Sequence, residues 1–193
     1  MVDRRRPSGA CLYVAGESAD RVWFLKRGTV VLSRTADGPE GAAVVWAVRG
    51  PGAILGAEAL VRPCYADTAR ATSDVVVCAA SREEVQGWLA ARADAARVVL
   101  DCVLSAGCED MPRRTGADGS ALQRAARWLL DEAQNSRRTS LPRTVVAELL
   151  GLKPETLSRT LASLALRGAI SVTRRSIEIE DVDLLEEAAG RAV

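Results

Sequence analysis

The chain contains no histidine in its 193 residues, so it can build no Ser-His-Asp triad, no Cys-His dyad and no histidine-ligated zinc or haem. A metal-dependent barrel enzyme is excluded for the same reason. No other catalytic constellation stands out, so no catalytic residue, metal or cofactor is expected. Disulfide pairing is missing too: Cys11, Cys64, Cys78, Cys102 and Cys108 are odd in number, widely spaced and set mostly in apolar runs, which suits reduced thiols in the cytoplasm. No stretch approaches the ~18 successive apolar residues of a membrane span. Arg4, Arg5 and Arg6 are followed by Pro7-Ser8-Gly9 where a secretory leader would turn apolar. A strong charge of one sign is also lacking, since 26 basic side chains face 25 acidic ones for a net of +1. Taken whole, that balance argues against a nucleic-acid partner. What is present is 48% apolar residues in 20.5 kDa, enough for one or two small domains with a real core.

The first 80 or so residues read as short strands separated by turn signals. Leu12–Val14, Val22–Lys26, Thr29–Thr35, Ala42–Val48 and Val75–Ala79 are the predicted strands, with turns at Asp37-Gly38 and Gly50-Pro51-Gly52. Strands this closely spaced predict an antiparallel sandwich or barrel. At Ser81, a helix-capping residue followed by Glu83 and Glu84, the texture changes, and Val85, Trp88 and Leu89 recur at helical spacing. A second helix is predicted over Asp94–Glu109, where Ala95, Val99, Cys102 and Ala106 form one stripe and Ala96, Leu100 and Val103 a neighbouring one. A helix apolar around so much of its girth suits packing on its own domain and on a partner chain at once. Met111–Gly119, with a proline and two glycines, reads as a hinge. Ser120–Ala133 is then amphipathic, with Leu122, Ala125, Ala126, Leu129 and Leu130 on one face.

The most informative segment is Leu141–Ile179. Arg143–Leu150 is a short predicted helix with Val146, Leu149 and Leu150 inward, and small Ala147 permits a close helix crossing. Gly151 follows where a tight turn wants positive φ. Pro154, favoured in a first helical turn, opens a second helix whose buried stripe is Leu157, Leu161, Leu164 and Ala165. Its other side offers Glu155, Thr156, Ser158, Arg159 and Ser163, which can hydrogen-bond base edges and phosphates. This is a helix-turn-helix pattern. Gly168 ends the helix, and alternating Ala169–Val172 and Ser176–Ile179 flank Thr173-Arg174-Arg175, a hairpin wing with two guanidiniums at its tip. The ordered conjunction predicts a winged helix that binds double-stranded DNA.

These residues resemble the CRP/FNR family, the catabolite-activator and fumarate-nitrate-regulator transcription factors, over nearly the whole chain. In the first half the resemblance lies in Gly16 to Leu25, Gly28, and Gly50-Pro51-Gly52 through Gly56-Ala57-Glu58-Ala59-Leu60. In the second half it lies in Val146-Ala147, Gly151-Leu152, Glu155 to Leu161 and Gly168-Ala169-Ile170. It implies an α+β chain: an antiparallel β-roll of the cyclic-nucleotide-binding type over residues 1–92, a dimerisation helix over 93–111, a hinge over 112–119 and a winged helix-turn-helix over 120–193. It also implies a homodimeric transcription regulator on a palindromic site, an activator or a repressor, with RNA polymerase as a partner. Base-reading roles fall on Glu155, Ser158 and Arg159, and phosphate contacts on Arg143, Lys153 and Thr156, with Arg174 and Arg175 on the wing. Pro154 stands where one branch has a base-reading arginine, which favours TTGA-like half-sites. Dimerisation falls on Ala95, Val99, Cys102, Val103 and Ala106.

Departures from the family pattern concern the effector. Members that bind cyclic AMP clamp its phosphate with an arginine and a small hydroxyl residue, where this chain has Tyr65 and Ala66. An unclamped buried phosphodiester is costly, so activation by cyclic AMP is not expected. Any effector pocket would involve Gly56, Glu58, Arg62 and Tyr65, with Arg62 a substitute cation. The closely spaced N-terminal cysteines of iron-sulfur sensors are absent, and Cys64, Cys78, Cys102 and Cys108 are expected as core or interface thiols. Pro112 should shorten or kink the dimer helix. The competing reading is a ligand-binding β-roll whose C-terminal domain makes protein contacts. Charge by segment favours DNA: residues 1–111 carry 13 basic and 14 acidic side chains, residues 112–176 carry 12 and 5, and residues 177–193 carry 1 and 6. The overall neutrality is a cancellation, and a net +7 sits on the helix-turn-helix and wing.

Overall fold

The computed structural model describes residues 2–35, 43–92, 94, 96–105, 119–135, 138–139, 141–174 and 176–190. The chain divides into two units, Met1–Met111 and Pro112–Val193. The expected hinge over 112–119 falls, apart from Gly119, outside the described residues.

In the first unit, eight strands among the described residues form two antiparallel sheets. One has the order β1 (Val2–Arg6), β8 (Val75–Ser81), β3 (Arg21–Arg27), β6 (Ile54–Leu55). The other has the order β2 (Cys11–Tyr13), β7 (Thr68–Ala71), β4 (Val30–Thr35), β5 (Ala43–Arg49). Alternating inward residues of both sheets meet in one core: Leu25, Leu55, Val75 and Val77 from the first, Val30, Leu32, Ala47, Ala69 and Ala71 from the second. This jelly-roll-like arrangement is the expected β-roll. Three of its strands escape the sequence pattern, β1, β6 and β7, because β6 has two residues, β1 carries three successive arginines, and β7 is four residues long with Arg70 among small side chains.

A 3₁₀ turn at Ala57–Leu60 interrupts the strands. Helix α1 (Arg82–Ala91) leaves β8 through a reciprocal capping box in which the Glu84 N–H donates to Ser81 Oγ at 3.2 Å and the Ser81 N–H to Glu84 Oε2 at 2.7 Å. Helix α2 spans 96–105. It exposes Val98, Leu100, Val103 and Leu104.

The second unit holds α3 (Ala121–Asn135), β9 (Arg138–Thr139), α4 (Arg143–Leu150), α5 (Pro154–Leu166), β10 (Ile170–Val172), β11 (Ile177–Ile179) and α6 (Val182–Ala188). Helix α3 packs on α5 and α6. Its Ala125, Ala126, Trp128, Leu129 and Leu130 are buried with Val146 and Ala147 of α4, Leu157, Leu161 and Leu164 of α5, and Leu185 of α6. The inward face of α4 is rotated from the expected one: Val145, Val146 and Ala147 are buried, while Leu149 and Leu150 are half-buried at its margin. A small three-stranded sheet, β10-β11-β9, closes the unit. Strand β9 lies in a polar stretch and is held by pairing Thr139 with Ile177. No helix among the described residues is long and apolar enough to cross a membrane.

Candidate nucleic-acid interface

The link between α4 and α5 is built on Gly151, whose φ of 60° and ψ of 37° lie in the left-handed region. There the Leu152 N–H donates to the Ala147 carbonyl at 2.9 Å and the Gly151 N–H to the Glu148 carbonyl at 3.2 Å, which satisfies the end of α4 as the chain reverses. Pro154 then opens α5 at a position where its missing N–H costs nothing. Leu157, Leu161 and Leu164 are almost fully buried, and Thr160 joins them because its hydroxyl donates to the Thr156 carbonyl at 2.9 Å. Geometry then sends Glu155, Ser158, Arg159 and Ala162, at spacings of three, four and seven, to an exposed face. The three expected base readers thus share one side of one helix. Ala162, the fourth member of that face, was not singled out in the sequence because its side chain carries no polar group.

The expected phosphate contacts come from α4, α5 and the wing. Lys153 is exposed at its N-terminal end and Thr156 is half-buried. Strands β10 and β11 pair through Ile170 with Ile179, Ser171 with Glu178 and Val172 with Ile177. Their turn is closed by Thr173 and Ser176: the Thr173 N–H donates to the Ser176 carbonyl at 2.9 Å, the Ser176 N–H to Thr173 Oγ1 at 3.0 Å, and the two hydroxyls lie 3.0 Å apart. Arg174 is exposed on this tip, and Arg175 lies outside the described residues. Arg143, exposed at the start of α4, donates from Nη2 to the Thr173 carbonyl at 2.9 Å.

The residues expected around an effector pocket lie in the other unit. Gly56, with φ of 66°, heads the 3₁₀ turn, and a Cβ there would come within 2.9 Å of Tyr65 Cε1. Tyr65 is buried, stacks on Tyr13 with ring centroids 4.0 Å apart, and donates its hydroxyl to the Arg21 carbonyl at 2.7 Å. Tyr13 donates its own hydroxyl to Asp67 Oδ1 at 3.2 Å. Glu58 Oε1 accepts from the Ala66 N–H at 3.3 Å. Arg62 is exposed, and its carbonyl accepts from Arg82 Nη2 at 2.6 Å. Arg34 pairs with Asp67: its Nη2 lies 3.7 Å from Asp67 Oδ2, and its guanidinium covers the Trp46 ring at 4.6 Å.

Comparison with known proteins follows this division. Residues 3–92 match the cyclic nucleotide-binding domain, and residues 123–188 match the Crp-like helix-turn-helix domain. The CRP-like cAMP-activated global transcriptional regulator of Mycobacterium tuberculosis is 26% identical over 95% of this chain and 86% of its own length. The chain belongs to the CRP/FNR family. As a family member it is a CRP-like transcription regulator with a helix-turn-helix DNA-binding domain. Its fold is also that of FixK2 from Bradyrhizobium japonicum, with a TM-score of 0.85 and 20% identity over 100% of this chain and 98% of that one. A CRP-family transcriptional regulator from Thermus thermophilus gives a TM-score of 0.78 at 24% identity over 98% and 97% of the two chains.

Of the expected dimerisation residues of this CRP/FNR protein, Val99 and Cys102 are half-buried and Val103 is exposed on α2. Ala95 and Ala106 lie outside the described residues. The cysteines, expected as core or interface thiols, differ in exposure. Cys64 is exposed, because Tyr65, Asp67, Ala69 and Ala71 take the inward positions of an alternating segment and Cys64 falls on the outer side. Cys78 is buried and Cys102 intermediate, whereas Cys108 lies outside the described residues. No cluster of metal-ligating side chains occurs among the described residues.

Sequence reasoning missed Tyr13 and Asp67. The alternation that places Asp67 in register with Tyr65 and Ala69 was the available signal. Burial, followed by the charge of Glu58, pushes the Asp67 carboxyl up from 3.8 to about 6, against the pull of Arg34. Burial also holds the hydroxyls of Tyr13 and Tyr65 above their ordinary range. A carboxyl whose folded value is raised favours folding below its unfolded value, and that contribution is lost as pH rises through the folded value near 6. Asp67→Asn keeps an oxygen for the Tyr13 hydroxyl and removes the charge. Thermal melts should therefore show the wild type losing roughly 2 kcal/mol more stability than Asp67→Asn between about pH 4 and about pH 7. Parallel pH profiles would contradict this titration of Asp67.

Proposed function

We propose that this CRP/FNR regulator binds a palindromic duplex as a homodimer, with TTGA-like half-sites, and does so without cyclic AMP. The observation that carries the reading is the exposed i, i+3, i+4 arrangement of Glu155, Ser158 and Arg159 on α5, opposite a fully packed leucine stripe. An arginine can clasp guanine O6 and N7 with two parallel bonds, and a glutamate accepts from a cytosine amino group. Arg143, Lys153, Thr156, Arg174 and Arg175 supply register through phosphates without reading sequence. The net +7 over residues 112–176 gives these contacts a favourable field. The protein acts in the cytoplasm, and RNA polymerase is its expected protein partner.

The dimer is supported by the four large apolar side chains that α2 exposes, Val98, Leu100, Val103 and Leu104, a pattern suited to a helix seam between two copies. Two such copies would place their α5 helices in successive major-groove turns. Independence from cyclic AMP is supported by the stacked Tyr13 and Tyr65 and by the neighbouring Asp67 and Glu58. Two aromatic rings occupy space, and two acids repel a phosphodiester. The Mycobacterium tuberculosis relative is named as cAMP-activated; this chain lacks the arginine that would clamp such a ligand.

Selection of bound duplexes from a random pool provides the substrate for both tests. Arg159→Ala and Glu155→Ala should each cost about 1 to 3 kcal/mol of discrimination at one position of the selected half-site. Unchanged preference in both variants would favour the reading in which the C-terminal unit contacts protein. For protein stripped of small molecules, added cyclic AMP should leave the duplex affinity unchanged. A tenfold or greater gain would overturn independence from that nucleotide.

A further inference from the structure

Arg143 stands where helix physics does not want it. It is the first residue of α4, no acidic residue shares that turn, and the N-cap Pro142 makes no side-chain cap. A cation at the positive end of a helix dipole is unfavourable by a few tenths of a kcal/mol to about 1 kcal/mol, so α4 itself gains nothing from the guanidinium. What the side chain reaches is the wing. Its Nη2 donates to the Thr173 carbonyl at 2.9 Å, across 30 residues of sequence. Thr173 is also the residue that closes the wing turn through its N–H and hydroxyl. The wing strands have three residues each, too few to fix a tip by pairing alone. Arg143 and Arg174 line one open cleft of about 430 Å³, together with Pro142, Thr173 and Ser176.

We propose that Arg143 is a positioning residue for the wing: by holding the Thr173 carbonyl it fixes the place from which Arg174 meets a DNA phosphate. The proposal rests on the DNA-binding reading above and adds a dependence between two cations that a list of phosphate contacts treats as separate. The guanidinium suits this work because its several N–H groups are rigidly splayed, so one can serve the carbonyl while others face the cleft. A side chain that only touched phosphate would act independently of the wing. One that braces the wing must be thermodynamically coupled to Arg174.

The full-length chain and its Arg143→Ala, Arg174→Ala and double variants test this in two ways. In the free protein, hydrogen exchange of the amides over 172–177 should become about tenfold faster in Arg143→Ala and stay unchanged in Arg174→Ala. Unchanged exchange in Arg143→Ala overturns the brace, whether or not any duplex binds. On a selected duplex, removing one phosphate contact reduces the slope of log affinity against log salt by about 0.9. Each substitution falls in both protomers of the dimer, so Arg174→Ala should lower the slope by about 1.8, Arg143→Ala by about twice as much, and the double variant by no more than Arg143→Ala. Equal single losses that add in the double variant overturn the coupling. If exchange responds as expected while the wild type binds no duplex, the DNA-binding reading fails and the brace stands.

Discussion

The apolar stripe of α5 is the constraint on which the second unit depends. Leu157, Leu161 and Leu164 are all but inaccessible to solvent, and each buried leucine is worth roughly 1.5 to 3 kcal/mol relative to exposure. Once that side is committed to α3 and α4, the 3.6-residue period leaves no freedom over which residues face outward. Glu155, Ser158 and Arg159 are exposed as a consequence of leucine spacing. Gly151 is what lets the two helices meet at all, since only a residue at ease with positive φ turns the chain there while Ala147 allows close approach.

The β-roll encloses polar chemistry as well as an aliphatic core. The two sheets close over an aliphatic core, and at one end of that core lie two stacked tyrosines and a buried aspartate with its own arginine. Tyr65 and Asp67 take alternate inward positions of the segment that leads into β7, so these polar side chains are packed inside the roll without altering the strands around them. Tyr65 still has a structural task, because its hydroxyl ties the segment after the 3₁₀ turn to β3.

The helix-turn-helix was legible in the sequence because its signals are local. Pro154, Gly151 and Gly168 are punctuation whose meaning does not depend on distant residues, and the bounds of α4 and α5 follow from them. The β-roll was legible only in part. Strand β1, with three arginines in five residues, reads as a polar segment until β8 supplies its pairing partners and Asp3 meets Lys26 at 2.6 Å. Strand β9 depends in the same way on β11. Tyr13 and Asp67 lie 54 residues apart, so their hydrogen bond could not be read from either neighbourhood. The inward position of Tyr65 also decides that Cys64 faces out. Non-local pairing, rather than weak propensity, is what the linear pattern could not express.

The net charge of +1 conceals a basic reader between a balanced β-roll and an acidic C-terminal segment. If the reader grips several phosphates in each half of a palindrome, binding must release a matching number of counterions. The most direct test is the affinity of the full chain for a selected duplex as a function of salt. Affinity should fall by about 10³-fold or more between about 50 and about 200 mM monovalent salt. An affinity that stays flat over that range would contradict the claim that this unit reads DNA through the exposed face of α5 and its flanking cations.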